Sequence, residues 1–239
     1  MISAASAIIG TLFVLSHLHR LLNLPAAAIN SLLEWKFNFA SWMFIGICIL
    51  AVLCVVTVWE SFRLSQGHNG ALTCKYSLWF NATLGVAATA YSGFLLTQAV
   101  GVPLWTTAVL PILWIFSGLA CAVGLVEILA STNRISHEGL GWLPMTANLV
   151  HVGEALVLFA FVQVALSGSP GAVAGAHHML GDAMFWGGAV ALGIVVPMIL
   201  GNLKGASALK LLGGIAAILG ALCLRASVLF AGAFDPVIF

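Results

Sequence analysis

Long continuous apolar runs, rather than alternating apolar and polar positions, dominate this chain. An α-helix needs about 20 apolar residues to cross a bilayer, whereas a strand of a membrane barrel alternates apolar and polar side chains. Seven such runs occupy residues 2–22, 39–62, 76–100, 105–130, 143–166, 177–200 and 209–231. The pattern predicts an all-α fold, a polytopic transmembrane bundle of about seven spans.

Composition supports a membrane protein and excludes several other classes. Hydrophobic residues make up 62% of the chain and charged residues only 6%, against about 25% charged in a soluble domain. Mean hydropathy is +1.13, which excludes a soluble enzyme and a disordered chain. The formal net charge is +1 without a basic cluster, which excludes a nucleic-acid binder. We expect one transmembrane domain over residues 1–239, with no secretory signal peptide.

The cysteines give no indication of a metal site. None of them stands in a Cys-x-x-Cys or similar ligand spacing, so they are interpreted as small apolar packing residues. No metal or iron–sulfur cluster is therefore expected within this protein. The five are Cys48, Cys54, Cys74, Cys121 and Cys223.

Basic residues predict the orientation. The ends and loops after the second, fourth and sixth spans carry five of them, and the opposite side carries two. Lys and Arg accumulate on the cytoplasmic side, which places the N-terminus in the cytoplasm and, with seven spans, the C-terminus outside. The first group is Arg63, Lys75, Arg134, Lys204 and Lys210, and the second is Arg20 and Lys36.

Polar side chains in the outer half of the spans are candidates for ligand binding, because a charge at the bilayer centre costs about 2.5–3.5 kcal/mol. Asp182 and Arg225 lie at matching depth and are predicted to face each other, either as a neutralising ion pair or as a polar wall for a ligand. The other candidates are His17, His19 and Tyr91, with His177 and His178 at the start of the sixth span.

The inner half carries candidates for proton transfer. His151 and Glu154 are three residues apart and share one helix face. Glu154 lies deep in its span, where a carboxylate is a functional candidate by default, and Glu127 is a second candidate. Glu60 and Arg63 are expected to extend towards the interface.

Two other functions remain open from the residues alone. A haem b anchor needs histidine pairs at matching depth, but His151 lies in the inner half while His17, His177 and His178 lie in the outer half. No haem is therefore expected. A small-solute transporter is compatible with the 25 glycines, although no inverted repeat is visible.

Three stretches resemble a known family. They are SHLHRLLN at 16–23 with SWMFIGI at 41–47, AYSGFLLTQAVGVPLWTTAVLPILWIFSGLACAVGL at 90–125, and LLGGIAAILGALCLRASVLFAG at 211–232. Together they resemble the polysulfide reductase membrane subunit family (NrfD/PsrC type) over nearly the whole chain. Members of that family usually have eight or more spans, with one helix before the His-Leu element, at which this sequence starts. Either the true N-terminus lies further upstream, or another subunit replaces the helix, or the protein is a shortened variant.

The resemblance implies a haem-free anchor subunit of a respiratory oxidoreductase in the cell inner membrane. Such a subunit exchanges electrons between menaquinone or ubiquinone and an extracytoplasmic four-cluster iron–sulfur subunit. That subunit commonly transfers electrons to or from a molybdopterin catalytic subunit. The anchor itself is then non-catalytic or reacts only with quinone. By resemblance, Tyr91 matches the quinone-contacting tyrosine, His17 the His-Leu element and Arg225 the Leu-Arg element.

The chemistry of these residues agrees with a quinone pocket. Tyr91 has a hydroxyl that donates a hydrogen bond, and His17 or His19 is able to donate or relay a proton. Asp182 and Arg225 are expected to tune that histidine.

Overall fold

The computed structural model describes residues 2–16, 42–67, 75–132, 134–135, 140–203 and 207–232. Helices account for nearly all of this part of the protein, and no strand occurs in it. The α-helices are α1 (Ile2–Ser16), α2 (Trp42–Ser65), α3 (Lys75–Thr97), α4 (Val109–Ser131), α5 (Leu143–Leu166), α6 (Pro170–Gly181), α7 (Val196–Asn202) and α8 (Ser207–Phe230). A π-helical segment, Met184–Val195, runs directly into α7, and short 3₁₀ turns occupy Pro103–Trp105 and Leu140–Trp142.

Five helices in the described part of the protein are long and apolar enough to cross a membrane. They are Phe44–Ser65, Val109–Ser131, Leu140–Leu166, Met184–Asn202 and Ser207–Phe230. The all-α membrane bundle is thereby confirmed. The first and third predicted spans are helical as well. However, α1 is described for 15 residues, fewer than the roughly 20 that a span needs. The helix α3 carries polar side chains such as Asn81, which make it less apolar than a typical span. The count of seven spans stays a prediction.

The chain divides into two compact units, Met1–Tyr91 and Ser92–Phe239, which are described separately. In the first unit α1 packs against α2. In the second unit α8 packs against α4 and against the π-helical segment. Its core includes Leu113 and Phe161, both fully buried.

Glycines bring the helices of the second unit into backbone contact. A methyl group at Gly220 on α8 would overlap the backbone of Gly193 in the π-helical segment. A methyl group at Gly214 would come within 2.5 Å of the carbonyl oxygen of Gly124 on α4. Close approach through small residues is typical of helix packing in membranes, where burial of apolar surface gives little driving force.

The sixth predicted span begins later than expected. Ser169 accepts a hydrogen bond from the Ala172 N–H and starts α6, which ends at Gly181. Asp182 is extended, and its carboxylate accepts a hydrogen bond from the Met184 N–H at 3.0 Å, which starts the next helix. The prediction that His177 and His178 open the sixth span was therefore wrong. Both are exposed on α6.

Candidate functional site

Tyr91 lies in the first unit against Gly46 of α2. Its side chain is only 6% exposed, and a methyl group at position 46 would occupy the space of the aromatic ring. Glycine at 46 therefore lets the ring approach the backbone of α2 closely. Within the described residues no hydrogen bond to the Tyr91 hydroxyl is formed; a phenolic hydroxyl is able to donate one.

Two of the predicted neighbours of Tyr91, His17 and His19, lie outside the described residues. Their roles in ligand binding stay predictions. The ligand-binding roles of Asp182 and Arg225 likewise stay predictions, since both belong to the second unit.

Glu60 in the first unit has partners that the sequence did not indicate. The Asn81 side chain donates to one of its carboxylate oxygens at 2.7 Å, and the Ser77 hydroxyl donates to the other. Glu60 was expected to extend towards the interface, but it is bonded to α3. The spacing of Ser77 and Asn81, four residues apart, places both on one helix face and was the signal available in the sequence.

His151 and Glu154 form the buried centre of the second unit. They are 1% and 2% exposed, and His151 Nδ1 lies 3.7 Å from Glu154 Oε2. The prediction that they share a helix face is confirmed. Neither of these two atoms has a hydrogen-bond partner in the described structure, and buried polar atoms of this kind normally bind water or a ligand.

Glu127 lies beside a cavity at one end of the second unit. The cavity has a volume of about 460 Å³. Methyl groups added at Gly201 and Gly213 would lie 3.6 and 3.9 Å from the carboxylate oxygens of Glu127. These glycines leave room around a carboxylate that is itself buried. The lining includes Glu127, Ser131, Pro144, Gly201, Ser207 and Lys210. We call this end of the second unit the cavity end, and the opposite end, where α6 contacts the turn Pro103–Trp105, the α6 end.

The predicted ion pair between Asp182 and Arg225 is wrong. No ion pair joins them, because Asp182 caps the π-helical segment while the Arg225 guanidinium lies over the Trp114 ring, 5.8 Å from its centroid. Arg225 also donates to the Trp114 carbonyl oxygen at 3.4 Å. Matching depth along two helices does not determine which sides of the helices meet. A cation is attracted to the face of an aromatic ring, and Trp114 offers one to Arg225.

These ionisable groups form a series along the second unit. Lys210 lines the same cavity as Glu127, and His151 lies beside Glu154. From the sequence, Cys121 was predicted to be a packing residue, and no signal indicated that Lys210 and Glu127 lie together. Among the described residues no group of His, Cys, Asp and Glu side chains is arranged to hold a metal ion.

The helical rise of about 1.5 Å per residue orders the series by depth. Measured from the cavity end, Glu127 lies about 6 Å deep on α4, His151 about 12 Å deep on α5 and Glu154 about 16 Å deep. Arg225 lies about 27 Å along α8. Of these four groups, two acids and a histidine therefore lie in the cavity half of the second unit, and the Arg225 guanidinium lies in the other half. The class of protein is a multi-pass helical membrane protein with buried ionisable groups.

Sequence comparison identifies the family. The family model described as "Polysulphide reductase, NrfD" matches residues 1–236, so the chain belongs to this family. The membership predicted from the resemblance is confirmed.

Individual relatives of known name are 26–31% identical to this protein. The polysulfide reductase C polypeptide of Wolinella succinogenes is 26% identical over 229 residues, which cover 83% of this protein and 72% of the relative. Protein NrfD of Escherichia coli is 31% identical over 160 residues, covering 62% of this protein and 50% of the relative. The NrfD homolog of Haemophilus influenzae is 28% identical over 155 residues, covering 60% and 48%. The match thus spans about half the length of the two NrfD relatives. No solved structure matches significantly.

Proposed function

We propose that this protein is the membrane anchor of a respiratory oxidoreductase complex in the cell inner membrane. It exchanges electrons between the quinone pool, menaquinone or ubiquinone, and an extracytoplasmic four-cluster iron–sulfur subunit of a molybdopterin-type enzyme. The observation that carries the proposal is membership of the polysulphide reductase NrfD family over residues 1–236. The N-terminus and the cavity end then face the cytoplasm, in accordance with the basic residues.

The quinone headgroup binds at Tyr91. A quinone has two carbonyl oxygens, each of which accepts a hydrogen bond, and the Tyr91 hydroxyl has no partner within the described residues. The buried ring on Gly46 fixes the direction of that hydroxyl. His17 at the same site takes or returns a proton as the quinone changes oxidation state.

Glu127, His151 and Glu154 supply a proton route in the second unit. Water in the cavity reaches Glu127 from the cavity end, and His151 and Glu154 carry the proton deeper into the bundle. The support is their order by depth and the buried polar atoms of His151 and Glu154 that lack hydrogen-bond partners in the described structure. Because two-electron reduction of a quinone consumes two protons, a route for protons into the membrane fits the proposed chemistry.

A comparison of two tyrosine variants tests the quinone site. Tyr91→Phe keeps the ring and removes one hydrogen bond worth about 0.5–1.5 kcal/mol, so quinone affinity should fall a few-fold to about tenfold. The matched control is Tyr76→Phe, because Tyr76 is the other of the two tyrosines and is 86% exposed.

The assay is run on the complex purified through a tag on this subunit. Quinone-linked activity should fall in Tyr91→Phe only, while activity with an artificial dye stays unchanged in both variants. A preparation without an iron–sulfur partner, or equal quinone kinetics in both variants, would contradict the proposal.

A further inference from the structure

The charges inside the second unit are separated along the membrane normal. Glu127, His151 and Glu154 all lie within about 16 Å of the cavity end. Arg225 lies about 27 Å from that end, beyond Glu154. A proton that continued from Glu154 towards the α6 end would therefore reach the depth at which the guanidinium lies.

Arg225 is held in place without a carboxylate in contact among the described residues. Its guanidinium lies over Trp114 and donates to the carbonyl oxygen of that residue. The Nε atom is buried and has no hydrogen-bond partner in the described structure. Among the described residues no carboxylate forms an ion pair with this guanidinium, so its charge is not neutralised by direct contact.

The helices around Arg225 bring no other Lys or Arg to this depth. The titratable groups on α4, α5 and α8 are Cys121, Glu127, His151, Glu154, Lys210, Cys223 and Arg225, and the π-helical segment and α7 carry none. The helix α6 also contacts α8 and carries the exposed His177 and His178. Lys210 lies near the cavity end, where it lines the cavity. Within these described elements, Arg225 is therefore the one permanent positive charge in the half towards the α6 end.

We propose that Arg225, positioned by Trp114, is an electrostatic barrier that closes the proton route of the second unit at its α6 end. The inference rests on the proton route of the proposed function and adds its direction of access. A guanidinium does not release its proton, so it cannot relay one, and a fixed positive charge in a narrow passage excludes protons and other cations. The second unit is then a half-channel that takes up protons from the cavity end and does not pass them on to the α6 end.

Proton leak across vesicles tests the barrier directly. The full-length protein is reconstituted in lipid vesicles, a potential is imposed with potassium and valinomycin, and a pH dye inside reports the flux. Arg225→Gln removes the charge and keeps a polar side chain of similar reach. We expect its leak to exceed that of the wild type by about tenfold or more, which corresponds to a barrier lowered by at least about 1.36 kcal/mol.

Two further variants separate a specific leak from damage. Arg225→Lys keeps the charge, so its proton leak should stay at the wild-type rate. Glu127→Gln combined with Arg225→Gln should abolish the leak, because the entry acid of the route is then missing. A leak that persists in this double variant runs elsewhere and overturns the proposal.

Thermal unfolding in detergent serves as the control that each variant is folded. If Arg225→Gln folds and its vesicles leak protons no faster than those of the wild type, the proposed barrier is overturned. If that variant does not fold, Trp114→Leu provides the second test, since it keeps the charge but removes the ring that positions it. We expect a leak there too, and a tight, folded Trp114→Leu variant overturns the positioning role. The assay contains no quinone, so its outcome does not depend on the Tyr91 site.

Discussion

The ring of Tyr91 lies against Gly46 so closely that a methyl group on position 46 would occupy the space of the ring itself. This contact joins α3 to α2 within the first unit. It determines where the Tyr91 hydroxyl points, and in the proposed function this hydroxyl binds the quinone headgroup.

Gly46→Ala should displace the Tyr91 ring. Overpacking of this kind costs about 1–3 kcal/mol, and the hydroxyl should lose its position even where the fold survives. Quinone-linked activity should therefore fall together with thermal stability. Gly85→Ala on α3 is the control, because a methyl group there meets nothing within 4 Å. Equal quinone kinetics in the two variants would show that the ring position does not matter.

Glu154→Gln should slow quinone-linked turnover. The substitution keeps the shape of the side chain but removes its capacity to carry a proton, and a positioned proton-transfer group contributes about 10²–10⁴-fold to a rate. Glu60→Gln is the control, since this carboxylate belongs to the first unit and is bonded to Ser77 and Asn81. Stopped-flow measurement of proton uptake checks the prediction, and normal uptake in Glu154→Gln would remove this residue from the route.

Gly220→Ala should destabilise the second unit. The added methyl group would overlap the backbone of Gly193, which cannot move aside as a flexible side chain does. We expect a loss of about 1–3 kcal/mol of stability, seen as a lower midpoint of thermal unfolding. In Gly187→Ala the methyl group meets nothing within 4 Å, so its midpoint should not fall. A Gly220→Ala midpoint at the wild-type value would contradict the close backbone contact.

Asn148 and Asn202 should be energetically coupled. Their side-chain amides exchange two hydrogen bonds, at 2.8 and 3.0 Å, and so connect α5 to the end of α7. Polar contacts between membrane helices average about 0.6 kcal/mol. A double-mutant cycle with alanine at both positions should return a coupling of about that size, whereas strictly additive effects would argue against the pair.

The sequence predicted the helices well because the signal for a membrane span is local. A continuous apolar run needs no knowledge of its neighbours, and the ends of α4, α5 and α8 lie within a few residues of the predicted ones. The sixth span was placed too early because Asp182 interrupts a sequence that is otherwise apolar. Only the structure shows this residue extended and capping the Met184 N–H.

The candidate site was less predictable, because it depends on contacts between helices. His151 and Glu154 were found from their spacing on one helix, which is again local. The partner of Arg225 was missed, since depth along a helix does not indicate which face meets α4, and Trp114 took the place expected for Asp182. Gly46 was quoted only as part of a motif, and its contact with Tyr91 appears only when α2 and α3 are packed together.

Photoaffinity labelling of the purified complex tests the central claim most directly. A photoreactive quinone is bound and illuminated, and the labelled peptides are identified by mass spectrometry with excess unlabelled quinone as competitor. A quinone headgroup at Tyr91 predicts competed label on peptides from α2 or α3 around Gly46 and Tyr91, and less label in the Tyr91→Phe variant. Competed label confined to peptides of α4, α5 or α8, with none on α2 or α3, would contradict the proposed site.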